Sequence, residues 1–313
     1  MIAASARAAV LVSYWGGAMQ GASLVVRLFG PLSIGVGGRR LGPDEVGGAK
    51  PRRVLEVLLL ARGARVSKDR LIDAVWGDRA PHGAVGALET HVSVLRSRLE
   101  LPRPGPLVAD GETYGLTLPH GALDLDEFDD HLQRALAPGD DAREHLTAAL
   151  RLASHDLLED EPYAEWAIRI RDRYRSLVHD ASLALAEMTL LAGDPAQAVL
   201  SAEIALGRDR LSERAARALM RGMFALGRQG DALLTYRRIR TTLRAELGVA
   251  PMDETVRLAG SIRRHDRAAV DAFGEGAPAL VVPPIGQEIA GTRLGDHLDW
   301  MPVGPGVATP SRH

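Results

Sequence analysis

The sequence has 313 residues, a length that suits two domains, and its lack of cysteine excludes a disulfide scaffold, a thiolate metal site and a cysteine nucleophile. The formal net charge is −2, but Lys and Arg outnumber Asp and Glu by 14 to 10 over residues 24–118, whereas acidic residues lead by 24 to 20 over residues 119–264. A basic first part followed by an acidic second part suits a nucleic-acid module joined to an interaction module.

The first 23 residues carry one charged side chain, Arg7. We expect residues 1–23 to be a disordered N-terminal extension, or a start placed ahead of the true one at Met19. Tyr14 and Trp15 interrupt the apolar run, which argues against a secretory signal. No apolar run in the chain approaches the roughly 18–20 residues of a membrane span. The sequence therefore predicts a cytoplasmic protein without membrane contact.

Residues 24–36 are rich in β-branched and aromatic residues and contain a Gly-Pro step, which predicts two short strands joined by a turn. A third strand is predicted at residues 39–41. Helices are then predicted at residues 50–62 and 67–76, the second with Ser67 as its N-cap. These elements account for the first part of a small mixed α/β domain.

Three basic residues stand at the start of the first helix: Lys50, Arg52 and Arg53. They could contact the phosphates of a nucleic acid, or they could be ordinary surface charges. The sequence leaves both interpretations open.

A helix predicted over residues 81–100 has an unusual outward face. Its apolar residues, spaced by three and four, are Val85, Leu88, Val92, Leu95 and Leu99. The opposite positions hold small residues where a solvated helix would carry Lys and Glu: Gly86, Thr90, Ser93, Val94 and Ser97. His91 and Arg98 flank this face on one side, and Glu89 and Arg96 on the other. Such a helix could enter a DNA major groove or could pack on another protein helix.

A β-hairpin is predicted after this helix, with strands near residues 107–108 and 114–118 and a turn at Asp110-Gly111. Strands, three helices and a closing hairpin form the order of a winged helix, whose third helix enters the major groove. The sequence therefore predicts a winged-helix DNA-binding domain over residues 24–118.

The residues at this point resemble a known family. The segments KPRRVLEVLLL, VSKDRLIDAVWGD, THVSVLRSRLE and TYGLTL are similar to the DNA-binding domain of the Streptomyces antibiotic regulatory proteins. These are transcriptional activators whose winged helix resembles that of response regulators. The resemblance extends over residues 24–264, and the order of its motifs is more specific than any one motif.

Base recognition is expected from the outward face of the third helix, and affinity from cations that meet phosphates. Hydroxyls of Thr90 and Ser93 can bond base edges, and Val94 or Ala87 can contact a thymine methyl. The resemblance adds His91 and Arg96 on the helix and Thr113 and Tyr114 in the wing, next to the backbone. The phosphate candidates are Lys50, Arg52, Arg53, Lys68, Arg96 and Arg98.

The sequence departs from the family pattern at two places. Val94 stands where relatives commonly have Arg, and the wing has Asp110 with Glu112 close by where a basic residue is usual. An acidic wing would repel phosphate. The rival hypothesis is therefore a helical-repeat adaptor whose winged helix has lost DNA affinity.

The second half is predicted to be all-α and repetitive. The segments LLAGD at residues 190–194 and FALGR at residues 224–228 correspond at a period of 34 residues, and Ala198 and Ala232 keep that offset. This is the tetratricopeptide period. With the closing segment AELGVAPMDETVRL, it resembles the family's bacterial transcriptional activation domain, predicted over residues 119–264. Residues 265–313 are predicted to be a disordered tail.

The pattern indicates no enzyme, cofactor or metal site. The acidic residues near 124–130 suit a helix N-terminus, and the histidines show no metal-binding spacing. The resemblance implies binding of double-stranded DNA at direct repeats near a promoter and contact with RNA polymerase, including its σ factor. It also implies control of a secondary-metabolite gene cluster, and the chain could form a homo-oligomer on DNA.

Overall fold

The computed structural model describes residues 24–137 and 141–273, which separate into two compact units. The first unit contains residues 24–127 and returns for residues 157–168. The second contains residues 128–137, 141–156 and 169–273. The expected extension at residues 1–23 and most of the expected tail, residues 274–313, lie outside the described residues.

The first unit begins with an antiparallel sheet in the order β1-β2-β3. Val26 pairs with Ile34, and Ile34 pairs with Leu41, so these three side chains share one face and are all buried. The three predicted strands are confirmed with these bounds: β1 Val25–Arg27, β2 Ser33–Val36 and β3 Arg39–Leu41.

Two remote segments complete the first unit around strand β1. The carboxylate of Asp124 accepts hydrogen bonds from the backbone N–H groups of Leu28 at 2.8 Å and Phe29 at 2.9 Å. The backbone N–H of Leu158 donates to the carbonyl of Leu28, also at 2.8 Å. Residues beyond the predicted limit at 118 thus belong to the first compact unit, a long-range association that local sequence patterns do not encode.

Three helices and a second sheet form the winged helix, which confirms the predicted fold class. Their bounds are α1 Ala49–Leu60, β4 Val66–Ser67, α2 Lys68–Trp76, α3 Ala84–Arg98, β5 Leu107–Asp110 and β6 Thr113–Leu116. Strand β4 was not predicted; it pairs with β6, so the sheet order is β4-β6-β5. Ser67 caps helix α2 as expected, because its side chain accepts from the N–H of Arg70.

The second unit is helical, as predicted. The remaining α-helices of residues 24–137 and 141–273 are α4 Asp124–Leu136, α5 Ala142–Leu152, α6 Ile168–Leu191, α7 Pro195–Arg208, α8 Glu213–Ala225, α9 Gln229–Leu247, α10 Asp253–Arg263 and α11 Arg267–Ala272. Along the described stretches, no helix combines the length and apolarity that crossing a bilayer requires.

The 34-residue period corresponds to two equivalent helix turns. Gly193 and Gly227 have φ of +76° and +77°, a region that glycine adopts without strain. The next N–H in each copy reaches back to the preceding helix: Asp194 to the Thr189 carbonyl at 2.9 Å and Arg228 to the Met223 carbonyl at 2.8 Å. Ala198 and Ala232, one turn into the following helices, are fully buried.

A third copy of this turn follows α10, where the sequence predicted a disordered tail. His265 has φ of +58°, and the N–H of Asp266 bonds to the Ser261 carbonyl at 3.0 Å. Helix α11 then begins, and its Val270 is buried. The prediction of disorder from residue 265 is wrong for residues 265–273. The spacing from Gly227 is 38 residues and glycine is replaced by His265, so the repeat was not recognisable as a copy.

Candidate nucleic-acid interface

Helix α3 buries one side and exposes the other. Leu88, Val92 and Leu95 lie in the core. The residues exposed on the opposite side are Gly86, Thr90, Ser93 and Ser97. We call these four residues the outward face. It is small, bears three hydroxyls and is accessible over three turns of helix.

The prediction that Val85 is a core residue of helix α3 is wrong. Its exposed fraction is 44%, because Ala84, one turn before Leu88, takes the buried position instead. The prediction that Val94 lies on the outward side of helix α3 is also wrong. A Cβ atom built on Gly47 would lie only 2.5 Å from Cγ1 of Val94, so the backbone of the preceding loop packs closely on this half-buried side chain. Val94 and half-buried Ala87 therefore lie beside the outward face.

The hydroxyl of Thr90 donates to the carbonyl of Gly86 at 2.9 Å. Its proton is therefore used within helix α3, and its oxygen lone pairs remain as acceptors. Ser93 lies three residues further along the helix and is exposed. In this geometry, Thr90 presents an acceptor and a methyl group at the outward face.

Three side chains form a stack beside helix α3. The rings of Trp76 and His91 are stacked with centroids 5.6 Å apart, and Nζ of Lys50 lies 5.4 Å from the Trp76 ring centroid. Burial, and then the positive charge of Lys50, lower the pKa of His91. His91 is therefore a neutral, half-buried side chain at neutral pH, and Lys50 is the exposed cation of the group.

Arg96 joins helix α3 to the wing. Its Nη2 donates to the carbonyl of Leu107 in strand β5 at 2.8 Å, and the side chain is half-buried. Arg98, two residues later, is exposed. Arg98 is therefore an accessible positive charge beside the outward face. Arg96 instead uses one of its N–H groups to hold the hairpin.

Arg52 and Arg53 face acidic residues of the first unit. The Arg52 guanidinium lies 2.7 Å from Oε1 of Glu161, 3.3 Å from Asp160 and 3.6 Å from Glu56, and the Arg53 side chain meets Glu161 at 3.0 Å. Only 12% of the Arg52 side chain is exposed. The phosphate role that the sequence suggested for this pair is replaced by a structural one, because carboxylates already engage both guanidinium groups.

Lys68 and Glu89 form an ion pair between helices α2 and α3. Nζ of Lys68 lies 3.1 Å from Oε1 of Glu89, and the side chains are 13% and 53% exposed, respectively. Glu89 precedes Thr90 and lies at the edge of the outward face. Lys68 is thus less available to phosphate than the sequence suggested.

The wing differs from the prediction. Tyr114 is buried, because it pairs with Val66 on one side and with Ala109 on the other inside the second sheet. The hydroxyl of Thr113 donates to the carbonyl of Asp110 at 3.1 Å and so serves the turn. Asp110 itself is exposed, and so is Glu112. The wing tip is acidic, and Tyr114 is a core residue that cannot reach a DNA backbone in this conformation.

Arg65 is a cation that the sequence analysis missed. It is exposed just before strand β4, and its Cδ packs over Gly115, where an added Cβ atom would lie 3.0 Å away. The position of Arg65 next to the wing could not be inferred from the sequence, because strand β4 has only two residues and was not predicted. Together, Lys50, Arg65 and Arg98 are exposed cations of the winged helix.

The described residues contain no group of three or more His, Asp or Glu side chains arranged to hold a metal ion. The polar features of the first unit are instead an accessible helix face, exposed cations and a buried ion cluster.

Comparison with known proteins matches both parts of the chain to family models. Residues 47–109 match the family described as "Transcriptional regulatory protein, C terminal", and residues 123–263 match the "Bacterial transcriptional activator domain". The chain is similar to the transcriptional regulator RedD of Streptomyces coelicolor, with 31% identity over 84% of this chain and 74% of RedD.

Two further relatives are longer than the matched region. Identity to the regulatory protein AfsR of Streptomyces coelicolor is 33%, over 76% of this chain but only 24% of AfsR. A solved structure of Mycobacterium tuberculosis EmbR, in complex with a low-affinity phosphopeptide, matches with a TM-score of 0.63 and 28% identity, over 82% of this chain and 70% of that one.

Proposed function

We propose a function from one premise: this chain belongs to the Streptomyces antibiotic regulatory protein family of transcriptional regulators. On that premise, it is a sequence-specific activator that binds double-stranded DNA through helix α3. Its target is a secondary-metabolite gene cluster, and it acts in the cytoplasm. We propose no catalytic activity, because its relatives are transcriptional regulators.

The observation that carries this proposal is the outward face of helix α3. A DNA major groove about 12 Å wide admits an α-helix, and small side chains allow the helix to approach the base edges. The hydroxyls of Thr90 and Ser93 lie on this exposed face, and Arg98 lies at its C-terminal end. A helix that packed on its own domain through this face would have buried it.

Affinity comes from cations around the helix. Lys50, Arg65 and Arg98 are exposed candidates for phosphate contacts. Arg96 and Lys68 contribute more weakly, because Arg96 bonds to Leu107 and Lys68 pairs with Glu89. His91 lies beside Lys50 as a neutral hydrogen-bonding group. With few phosphate contacts, the binding constant falls gently with salt.

The helical second unit supplies protein contacts. Stacked helical repeats present extended surfaces to other polypeptides rather than catalytic groups. In this proposal, the unit recruits RNA polymerase, including its σ factor, and supports the association of copies on direct repeats near the promoter. The three equivalent turns at Gly193, Gly227 and His265 support this view, since the same connection between successive helices recurs along the unit.

The test is a mobility-shift titration of the full chain on DNA upstream of its neighbouring genes, repeated across salt concentrations. We expect specific, salt-sensitive retardation. Arg98→Ala should weaken it and reduce the salt slope by about one unit. Arg238→Ala, which removes an exposed arginine from helix α9, is the charge-matched control and should leave the slope unchanged.

The second candidate function is a helical-repeat adaptor with little DNA affinity. The exposed acidic residues Asp110 and Glu112 at the wing tip favour it, because they would repel phosphate. Absence of any specific retardation at low salt would support this adaptor function and contradict the activator.

A further inference from the structure

We infer that Glu89 is a specificity-determining residue of the DNA site and that its carboxylate accepts a hydrogen bond from the exocyclic amino group of a cytosine. This inference rests on the proposed function, which it deepens by naming a base preference. It assigns a chemical role to the acidic side chain at the edge of the outward face.

Glu89 is an acidic side chain next to a face that is proposed to bind DNA, which is itself acidic. Its side chain is 53% exposed and directly precedes Thr90 on helix α3. A carboxylate beside a DNA-binding helix face would oppose DNA binding unless its charge were offset. Direct contact between a carboxylate and a base edge is the major-groove arrangement in which an acidic side chain is favourable.

Such a contact requires that the negative charge of Glu89 be offset and that its carboxylate be held in place, and Lys68 does both. Its Nζ lies 3.1 Å from Oε1 of Glu89, so it offsets the negative charge and restrains the carboxylate. Lys68 is itself held in place, since it is the first residue of helix α2 and its backbone N–H donates to the carbonyl of Glu112 at 2.8 Å. An ionised carboxylate has about four acceptor sites, and one ammonium group does not exhaust them.

The hydrogen-bonding groups near Glu89 select the base type. Thr90 uses its proton on Gly86, so Glu89 and Thr90 together present acceptors. In the major groove, donors are found only on the amino groups of cytosine and adenine. In adenine the amino group lies next to the N7 acceptor, which repels a second carboxylate oxygen, whereas cytosine offers its amino group alone. The arrangement therefore favours cytosine.

The test is binding-site selection from a pool of random DNA duplexes with the full chain and its Glu89→Gln and Glu89→Ala variants. We expect the wild type to select cytosine at one position of its site. Glu89→Gln should select adenine there, because an amide pairs with the amino group and N7 of adenine. Glu89→Ala should lose the preference, so that roughly 5- to 150-fold discrimination at that position disappears.

Glu100→Gln is the matched control. Glu100 lies just beyond the same helix, its side chain is 71% exposed, and it pairs with Arg39 at 3.2 Å. Its substitution changes the net charge by the same amount and should leave every base preference intact. Comparison of Glu89→Gln with Glu100→Gln therefore separates base recognition from a general gain in phosphate attraction.

Lys68 is a positioning residue, and its variants test the geometry. Lys68→Met should reduce discrimination at the same cytosine position more than at other positions, and Lys68→Arg should restore part of it. Equal thermal unfolding of the variants would verify an intact fold.

The outcomes are distinguishable. In one outcome, the wild type selects a specific site that both Glu89 variants also select with the same base preferences. In that case the Lys68–Glu89 pair only links helices α2 and α3. The inference about cytosine is then overturned, while DNA binding by the chain stands. If the wild type enriches no sequence, DNA recognition by this chain is overturned and the inference falls with it.

Discussion

The guanidinium of Arg52 lies 2.7 Å from a carboxylate oxygen of Glu161, although the two residues are 109 positions apart in the sequence. Glu161 also accepts from Nε of Arg53, and it is buried. Burial alone raises the pKa of Glu161, but its hydrogen bonds to Arg53 and Arg52 bring that pKa below its ordinary value. The segment of residues 157–168 is thus fixed to helix α1 by two ion pairs to one buried carboxylate.

Replacing Glu161 by Ala should destabilise the first unit strongly. The variant loses the hydrogen bonds to Arg52 and Arg53, but Arg52 keeps Asp160 at 3.3 Å as a carboxylate partner. The cost should therefore approach but not exceed the value of about 3–5 kcal/mol that is typical of breaking a buried ion pair. Chemical denaturation of Glu161→Ala should therefore give a lower midpoint than the wild type. Glu100→Ala breaks the exposed pair with Arg39 and should cost no more than about 1 kcal/mol. Equal losses for the two variants would contradict a structural role for the cluster.

A fragment of residues 24–118 should fold less stably than a fragment of residues 24–168. The shorter fragment lacks Asp124, which accepts from the backbone amides of Leu28 and Phe29, and Leu158, whose N–H bonds to the Leu28 carbonyl. The residues just after strand β1 would lose these bonds, and Arg52 would lose its buried partner Glu161. Thermal unfolding and amide NMR dispersion of the two fragments would reveal the difference. A shorter fragment with the same midpoint would show that the returning segment is dispensable.

Glu56 gives a prediction about pH. It is fully buried, and this burial, followed by the charges of Asp160 and Glu161, raises its pKa from 4.5 to about 9, against the smaller opposing effect of Arg52. Arg52 is already engaged by Asp160 and Glu161, so a proton on Glu56 is the favourable arrangement. The folded state therefore holds this proton more tightly than the unfolded state.

The sign of the pH effect follows from this shift. Stability from the protonated Glu56 is fully present below pH 4.5 and is lost as the pH rises through about 9. Glu56→Gln mimics the neutral form, so at pH 7 its free energy of unfolding should exceed that of the wild type by about 1–3 kcal/mol. This difference should grow towards pH 9, and denaturant titration at several pH values would measure it. Glu161→Gln should show no such gain. A Glu56→Gln variant that is less stable at pH 7 would mean that Glu56 is ionised and paired with Arg52.

The elements of this chain were predictable where the pattern is local. The spacing of Leu88, Val92 and Leu95 correctly identified the buried side of helix α3, and the hydroxyl-bearing side is exposed as expected. The repeated glycines at 193 and 227 marked two equivalent turns, because both positions have positive φ. The DNA contacts of the outward residues stay a prediction.

The rest depended on distant partners. Nothing near Arg52 and Arg53 in the sequence indicates that Glu161 will engage them, and a basic pair at a helix start resembles a phosphate site until that partner is known. Tyr114 was expected at the DNA backbone, but its pairing with Val66 in an unpredicted strand buries it. Contacts of this kind become visible only after the fold is assembled.

Gly222 should be intolerant of a larger side chain because helices α7 and α8 approach closely there. A Cβ atom at this position would lie 2.9 Å from Cγ2 of buried Val199 and 3.4 Å from the carbonyl oxygen of Pro195. Val199 is β-branched and stiff, and the Pro195 carbonyl is backbone, so neither can move away cheaply. Gly222→Ala should lower the unfolding free energy by about 1–3 kcal/mol despite the better helix propensity of alanine. Gly207→Ala, in helix α7 with nothing within 4 Å of the added atom, should instead be neutral or stabilising by up to about 1 kcal/mol. Denaturant unfolding would measure the free energy of unfolding of both variants and of the wild type. Equal stability of the two variants would refute the close packing inferred between α7 and α8.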